Sequence, residues 1–398
     1  LVSSTPTDSD HGHRADFLPF SPPNLTEREI EAVVETLRSG WITTGPRTHQ
    51  FEQAFGAFLG AESALALNSC TAGLHLALLA LGVGPGDEVI TTPMTFCSTV
   101  NVIEHVGARP VLADIDPETL TLDPAQAARA VTPRTKAILP VHYGGHPAEM
   151  EPLLALAREH SLHIVEDAAH ALPATYNGRR IGTIGDLTAF SFYATKNLTT
   201  GEGGMLTGSP DLIESARVLS LHGMSRDAWN RYSAEGSWYY EVVAPGHKYN
   251  MTDIQAALGL VQLERLAEMQ TRRREVAAQY SRAFSRWEYF QTPAERPHVR
   301  HAWHLYTLRL NLERLSIDRA QFIHELSARN IGASVHFIPI HLHPYYRGRY
   351  HWRPDDFPVA HREYTRLISL PLHPGLTNTD VQNVIDAVIE VTMKHRRP

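Results

Sequence analysis

Only four of the 36 Lys and Arg residues are lysines, Lys136, Lys196, Lys248 and Lys394, so chemistry that needs a primary amine has few places to sit. Lys136 precedes an apolar run, Lys394 lies in the basic C-terminal stretch and Lys248 follows Gly246-His247. Lys196 alone falls just beyond the end of an apolar run and beside a glycine-rich turn, Gly201-Glu202-Gly203-Gly204. A lysine that is desolvated in such a place gives up its proton readily, and its free amine attacks aldehydes to form a Schiff base. On a solvated surface it would do neither.

Three other positions bear on that amine. Ser69-Cys70-Thr71-Ala72-Gly73 sits where a strand turns into a helix, where unpaired amides and the helix dipole attract an anion; it reads equally as a plain N-cap. Asp167 closes the apolar stretch Leu162-His163-Ile164-Val165-Glu166, either as partner to a positive nitrogen or as a cap or ion-pair residue. Phe96 is either a platform for a flat ring or core packing. An amine, an anion turn, an acid and an aromatic face together suit pyridoxal phosphate. That cofactor is an electron sink while its ring nitrogen stays protonated, and a carboxylate partner favours the protonated form.

These residues need a scaffold that brings them to one edge. Residues 64–208 repeat a short apolar run, a polar turn and a helical pattern, with runs at 64–67, 88–91, 110–113, 137–141, 162–166 and 188–192. Helical patterns fill gaps such as 72–81 and 147–160. The alternation predicts an α/β fold: a large domain with a mostly parallel central sheet flanked by helices. Ligands bind beyond the carboxyl ends of such strands, which is where Ser69, Phe96, Asp167 and Lys196 fall. Thr252-Asp253-Ile254-Gln255 has capping-box form and opens a long helix. Beyond it, a strand at 304–310, a helix at 319–329, a strand at 334–338 and a helix at 379–395 predict a smaller C-terminal α+β domain. The expected division is a disordered lead-in over 1–16, a large cofactor-binding domain over 17–269 and a small domain over 270–398.

Composition narrows the function. At 398 residues the chain is long enough for two or three domains, with 43% hydrophobic and 20% charged residues. The net charge of −7 and the lack of a basic run longer than Arg272-Arg273-Arg274 argue against nucleic acid. Residues 63–86 are apolar but interrupted by polar and glycine turns, so no membrane association is expected. Two cysteines, Cys70 and Cys97, without a Cys-x-x-Cys motif, point to a reducing compartment, and a cytoplasmic location is expected.

Asn68-Ser69-Cys70-Thr71-Ala72-Gly73-Leu74, Glu166-Asp167-Ala168-Ala169-His170, Ser191-Phe192-Tyr193-Ala194-Thr195-Lys196-Asn197, Gly201-Glu202-Gly203-Gly204 and Tyr249-Asn250-Met251-Thr252-Asp253-Ile254-Gln255 resemble, in order, the motifs of the DegT-type sugar aminotransferases. That family has the aspartate aminotransferase fold. The similarity runs from Gly40-Trp41-Ile42-Thr43-Thr44-Gly45-Pro46 to the Pro371-Leu372-His373 region. It implies that Lys196 forms the Schiff base with pyridoxal phosphate and shuttles the proton. It implies that Asp167 holds the pyridine nitrogen, that Ser69, Thr71, Ala72 and Ser191 hold the phosphate, and that Phe96 stacks on the ring. His170 stands where many members carry Gln, near the cofactor. Asn250 matches a position that reaches the phosphate of the neighbouring subunit, which implies a homodimer with shared sites. Thr44, Tyr193, Arg226 and His336 are the positions implied for substrate.

The activity so implied is transfer of an amino group from glutamate or glutamine to a keto group of a nucleotide-linked sugar, with a UDP- or dTDP-linked 4-keto sugar as the expected acceptor. A sugar dehydratase on the same scaffold would carry histidine in place of Lys196. A non-catalytic cofactor-binding regulator would have no need of the nucleophile. A nicotinamide enzyme lacks its fingerprint, since Gly82-Val83-Gly84-Pro85-Gly86 precedes a strand and opens no helix. Arg226 could equally make a surface ion pair. The strip His336-Phe337-Ile338-Pro339-Ile340-His341-Leu342-His343 has alternating histidines but no nearby carboxylate, so no metal is expected.

Overall fold

Apolar runs with no polar face predict strands buried on both sides, and a parallel sheet covered by helices is the arrangement that buries them. The computed structural model describes residues 15–224 and 239–397. Helices α1 (Glu27–Ser39) and α2 (Pro46–Leu59) lead into β1 (Ser63–Leu67), α3 (Cys70–Ala80), β2 (Glu88–Thr91), α4 (Cys97–His105) and β3 (Arg109–Leu112). Then come α5 (Pro124–Ala130), β4 (Thr135–Ile138), α6 (Met150–His160), β5 (His163–Asp167), the short β6 (Thr175–Tyr176) and β7 (Arg179–Arg180), β8 (Leu187–Ser191), β9 (Gly204–Gly208) and α7 (Pro210–Ser220).

The central sheet has seven strands in the order β1-β9-β8-β5-β4-β2-β3. All neighbours are parallel except β9, which runs against both β1 and β8. The sequence reading places only a turn at residues 201–204 and misses β9, whose three non-glycine residues are too few to show a period. Because β9 is reversed, its first residue, Gly204, lies at the edge where β1 and β8 end, opposite both Leu67 and Ser191.

One face of the sheet packs against α2 and α6 through Phe51, Phe55, Phe190, Phe192 and Leu153. The other packs against α3 through Leu65, Leu74, Val89, Val165 and Leu206. Helix α8 (Asp253–Phe284) starts at the capping box foreseen in the sequence, with Thr252 Oγ1 accepting from the Gln255 amide. At 32 residues it spans about 48 Å, at 1.5 Å per residue. Its early residues Leu266 and Met269 join the first core, and Val276, Ala277, Tyr280 and Phe284 join a second.

That second core also draws on β12 (Tyr306–Leu310), α9 (Arg319–Ser327), β13 (Leu367–Leu370) and α12 (Asn378–His395). Strand β12 pairs antiparallel with β13 and with β10 (Phe290–Gln291), while β11 (Val299–Arg300) pairs with β6. Between α9 and β13 lie α10 (Pro344–Tyr350) and α11 (Pro358–Arg366). Two expectations need correction. The stretch 334–338 is not a strand: it pairs only at Ser334 with Ser369, then leaves the edge as His336 bonds the Ser369 hydroxyl. Leu18, expected in the large unit, packs in the second core instead, its amide donating to Asn330 O at 2.8 Å. The expected lead-in over residues 1–16 lies outside the described residues except for Ala15 and Asp16. No helix among the described residues is long and apolar enough to cross a membrane.

Candidate active site

The carboxyl edge of the sheet opens into a cavity of about 460 Å³, lined among others by Ser69, Thr71, Phe96, Asp167, His170, Ser191, Tyr193, Lys196 and His336. Nine residues chosen from the sequence therefore meet at one place, contributed by α3, the loop before α4, β5, the end of β8 and the segment after α9. Lys196 lies in the loop after β8, its amide held by Tyr193 O at 2.9 Å. Burial pushes its amine down to about 8, against the upward pull of Cys70 and Asp167. A good share of the amine is thus neutral near pH 8, as a nucleophile requires.

Asp167 is buried at the end of β5. Its Oδ2 accepts from Thr99 Oγ1 at 2.8 Å, and Thr99 is in turn 2.6 Å from Thr95 Oγ1; Oδ1 accepts from the Ala169 amide at 3.1 Å. Burial still raises its carboxyl above the ordinary value, because these bonds only partly replace water. Sequence reasoning missed Thr99, although its place one helical turn after Thr95 on α4 was the available signal. Behind Asp167, on the far side of the strand, Glu166 accepts from His142 Nε2, the Gly185 amide and Thr188 Oγ1, at 2.9, 2.7 and 2.8 Å. This closed network ties the ends of β4, β5 and β8 together and holds Asp167 in place.

Ser69 caps α3, its Oγ accepting from the Ala72 amide at 3.1 Å. Ala72 is nearly fully buried in the first turn of the helix, its amide bonded to Ser69 Oγ, and its side chain does not line the cavity. The amides of Cys70 and Thr71, with no acceptor one turn back, are the ones left to face an anion. Ser191 Oγ accepts from the Tyr193 amide at 3.3 Å. Gly204 allows the closeness of these groups, since a Cβ there would lie 2.4 Å from the carbonyl carbon of Ser69.

Phe96 is 57% exposed and presents its ring to the cavity beside Phe337. His170 stacks between Phe337 and His304, and burial holds it well below the usual imidazole value. His336 faces Phe20 and is pushed down to about 4 by burial and by the Lys196 charge. The sequence reading passed over His304, which lines the same cavity. Burial lowers all three imidazoles and so favours their neutral forms. The histidine strip divides: His341 is buried against Phe357 and His343 Nε2 lies 3.1 Å from Ile338 O.

Thr44 and Asn250 do not reach this cavity. Asn250 Nδ2 donates to Thr44 Oγ1 at 2.7 Å, and Thr44 donates to Met251 O. The loop that carries Thr44 is held by Asp253, a buried carboxylate that accepts from the amides of Gly45, Arg47 and Thr48 and from Thr48 Oγ1. A Cβ at Gly45 would fall 1.8 Å from the Trp41 indole nitrogen, so the exposed Trp41 side chain would have to move aside. Arg226 lies outside the described residues.

A family model described as the DegT/DnrJ/EryC1/StrS aminotransferase family matches residues 23–389. The chain is 55% identical over 380 residues to the spore coat polysaccharide biosynthesis protein SpsC of Bacillus subtilis, covering 95% of this chain and 98% of SpsC. Among solved structures it resembles Spr1654 from Streptococcus pneumoniae, described as a sugar aminotransferase and solved in a PLP form and a PMP form. Identity is 37% and the TM-score 0.89 for both, over 95% of this chain and 99% and 98% of those. It also resembles PseC of Helicobacter pylori, an aminotransferase involved in the biosynthesis of pseudoaminic acid, at 31% identity and a TM-score of 0.88, over 95% of this chain and 100% of PseC.

Proposed function

This chain belongs to the DegT/DnrJ/EryC1/StrS aminotransferase family, and from that premise we propose that it binds pyridoxal phosphate at Lys196 and transfers an amino group from glutamate or glutamine to a keto group of a nucleotide-linked sugar. The observation that carries the reading is the convergence of a lysine amine lowered to about 8 and a buried carboxylate on one cavity of about 460 Å³. The residues fit the cofactor on their own chemistry. Asp167 is a buried carboxylate suited to a cationic partner, the free amides of Cys70 and Thr71 suit a phosphate, and the exposed ring of Phe96 offers a flat face.

When bound, pyridoxal phosphate supplies an aldehyde for capturing amines and a ring that draws off the electron pair left when a substrate C–H bond breaks. Lys196 Nζ, available as the free base, would hold the cofactor through its aldehyde and would take up and return the proton at the substrate carbon. Asp167, oriented by Thr99 and the Ala169 amide, keeps a proton on the ring nitrogen. Ser191, Ser69 and the start of α3 hold the phosphate. Tyr193 and His336, which line the cavity, would contact the sugar. Both cysteines are free thiols, which suits a reducing, cytoplasmic setting.

The test is an absorption spectrum of the purified protein with pyridoxal phosphate. A lysine-bound band that converts to the pyridoxamine form with L-glutamate or L-glutamine, and is restored by a nucleotide-linked 4-keto sugar but not by the free sugar, supports the reading. A band that no amino donor bleaches would favour a cofactor-binding regulator.

The Thr44–Asn250 pair lies outside its own chain's cavity, and we assign it to the phosphate of a second subunit's site. Exposed Trp41, Ile42, Val242 and Val243 supply apolar surface for such a contact. Asn250→Ala is expected to weaken cofactor retention about tenfold, the scale of one lost hydrogen bond to a charged group, in equilibrium dialysis of a dimer. A fully active monomer at assay concentration in sedimentation would contradict the shared site.

A further inference from the structure

Behind Lys196 is a second hollow with about 10 Å³ of room, bounded by Lys196, Ser191, Asn197, His170, His304 and apolar side chains. That is the scale of a single water, provided two to four polar partners face it. The tautomers of the two histidines can be read from their neighbours. Asn197 Nδ2 donates to Leu172 O at 2.9 Å and to Ala302 O at 2.8 Å, which fixes the amide and turns Oδ1 toward His304 Nδ1 at 3.3 Å. His304 therefore carries its proton on Nδ1 and leaves Nε2 as an acceptor. His170 is the reverse: its Nδ1 accepts from the Gly144 amide at 3.2 Å, so its proton is on Nε2. The rings lie 4.3 Å apart, centroid to centroid. A histidine with a spare donor, a histidine with a spare acceptor and Lys196 thus all line the hollow.

We propose that one water bound in this hollow donates to His304 Nε2, accepts from His170 Nε2–H, and accepts a hydrogen bond from the Lys196 amine, so that the amine's lone pair is aimed into the main cavity. The proposal rests on Lys196 being the nucleophile. His304 is then a positioning residue that acts through the water. Its neutrality matters, because a protonated His304 would have no lone pair to offer; burial above all, with the nearby Lys196 charge, favours the neutral form. The other titratable groups that face the amine are Cys70 from α3, Asp167 from β5, and His170 and His336.

The direct test is a crystal structure of the full-length chain freed of cofactor, at a resolution that shows ordered water. A peak within hydrogen-bond distance of all three nitrogens supports the proposal and a dry hollow overturns it; neither outcome depends on a variant folding. The second test is the pH profile of pyridoxal phosphate capture by the cofactor-free chain. The neutral amine is the reactive form, so the rate rises with pH through about 8 and levels above it. His304→Phe fills the hollow and removes an acceptor that favours the ammonium, so the midpoint should fall by about one pH unit. The misaimed lone pair should lower the plateau about tenfold. His304→Gln, which keeps an acceptor, should restore both. An unchanged or raised midpoint in the phenylalanine variant overturns the proposal. Failure of the nucleophile assignment itself would show separately, as a lysine-bound absorption band that survives Lys196→Ala.

Discussion

Replacing Lys196 by alanine is expected to cut amino transfer by roughly 10³-fold or more, since positioned proton transfer alone contributes about 10²- to 10⁴-fold and covalent capture is lost with it. No other lysine can stand in. Lys136 lies on β4 at the opposite edge of the sheet, the Lys248 carbonyl is held by Asn68 Nδ2 outside the cavity, and Lys394 is paired with Glu325 at 2.8 Å. The variant should still take up pyridoxal phosphate, because the amides of α3, Ser191 and Asp167 are untouched. Its spectrum should lack the lysine-bound band, and a small primary amine added to the assay should recover part of the proton-transfer rate. Residual turnover above about a tenth of wild type would remove Lys196 from the chemistry, whatever the spectrum showed, because losses of a nucleophile and base are far larger than that.

The second large effect concerns Asp167, and here two measurements should move in opposite directions. Asp167→Asn keeps the shape and the contacts to Thr99 and the Ala169 amide but removes the charge that, on the proposed reading, would keep the ring nitrogen protonated. Turnover should fall on the order of 10²-fold, the scale seen when one preorganised electrostatic partner is removed. In the cofactor-free protein the same change should stabilise the fold. The folded-state value of this carboxyl is raised by burial, so the fold favours the protonated form and loses stability as pH rises through that value. At neutral pH the buried carboxylate is therefore a cost to the empty protein, and the asparagine variant should melt at a higher temperature than wild type when both lack cofactor. With cofactor bound, the order should reverse. Equal melting temperatures in both states would mean that Asp167 meets no cationic partner.

Much of the site was readable before any fold was known. Lys196 stood out because lysines are scarce, Ser69 and Asp167 because each follows an apolar run where an α/β sheet presents its ligand edge, and Ser191 only through the family resemblance. What escaped reading has a common cause. Thr99, Asn197 and His304 act through partners 68 to 107 residues away in sequence, and no local spacing records such a pairing. Strand β9 escaped because it is short and bounded by glycines, and residues 334–338 misled because an alternating apolar pattern cannot show that the chain leaves the sheet after one paired residue.

The sequence by itself determined which groups could do chemistry and the alternation of strand and helix that would gather them, because side-chain type and hydrophobic period are local properties. Only the tertiary structure decided their states. The descent of Lys196 to about 8, the raised carboxyl of Asp167, the opposed tautomers of His170 and His304 and the separation of Asn250 from its own cavity all follow from burial and from contacts between distant segments. Solvation and hydrogen bonding set these properties, and neither exists for a residue until the chain has closed around it.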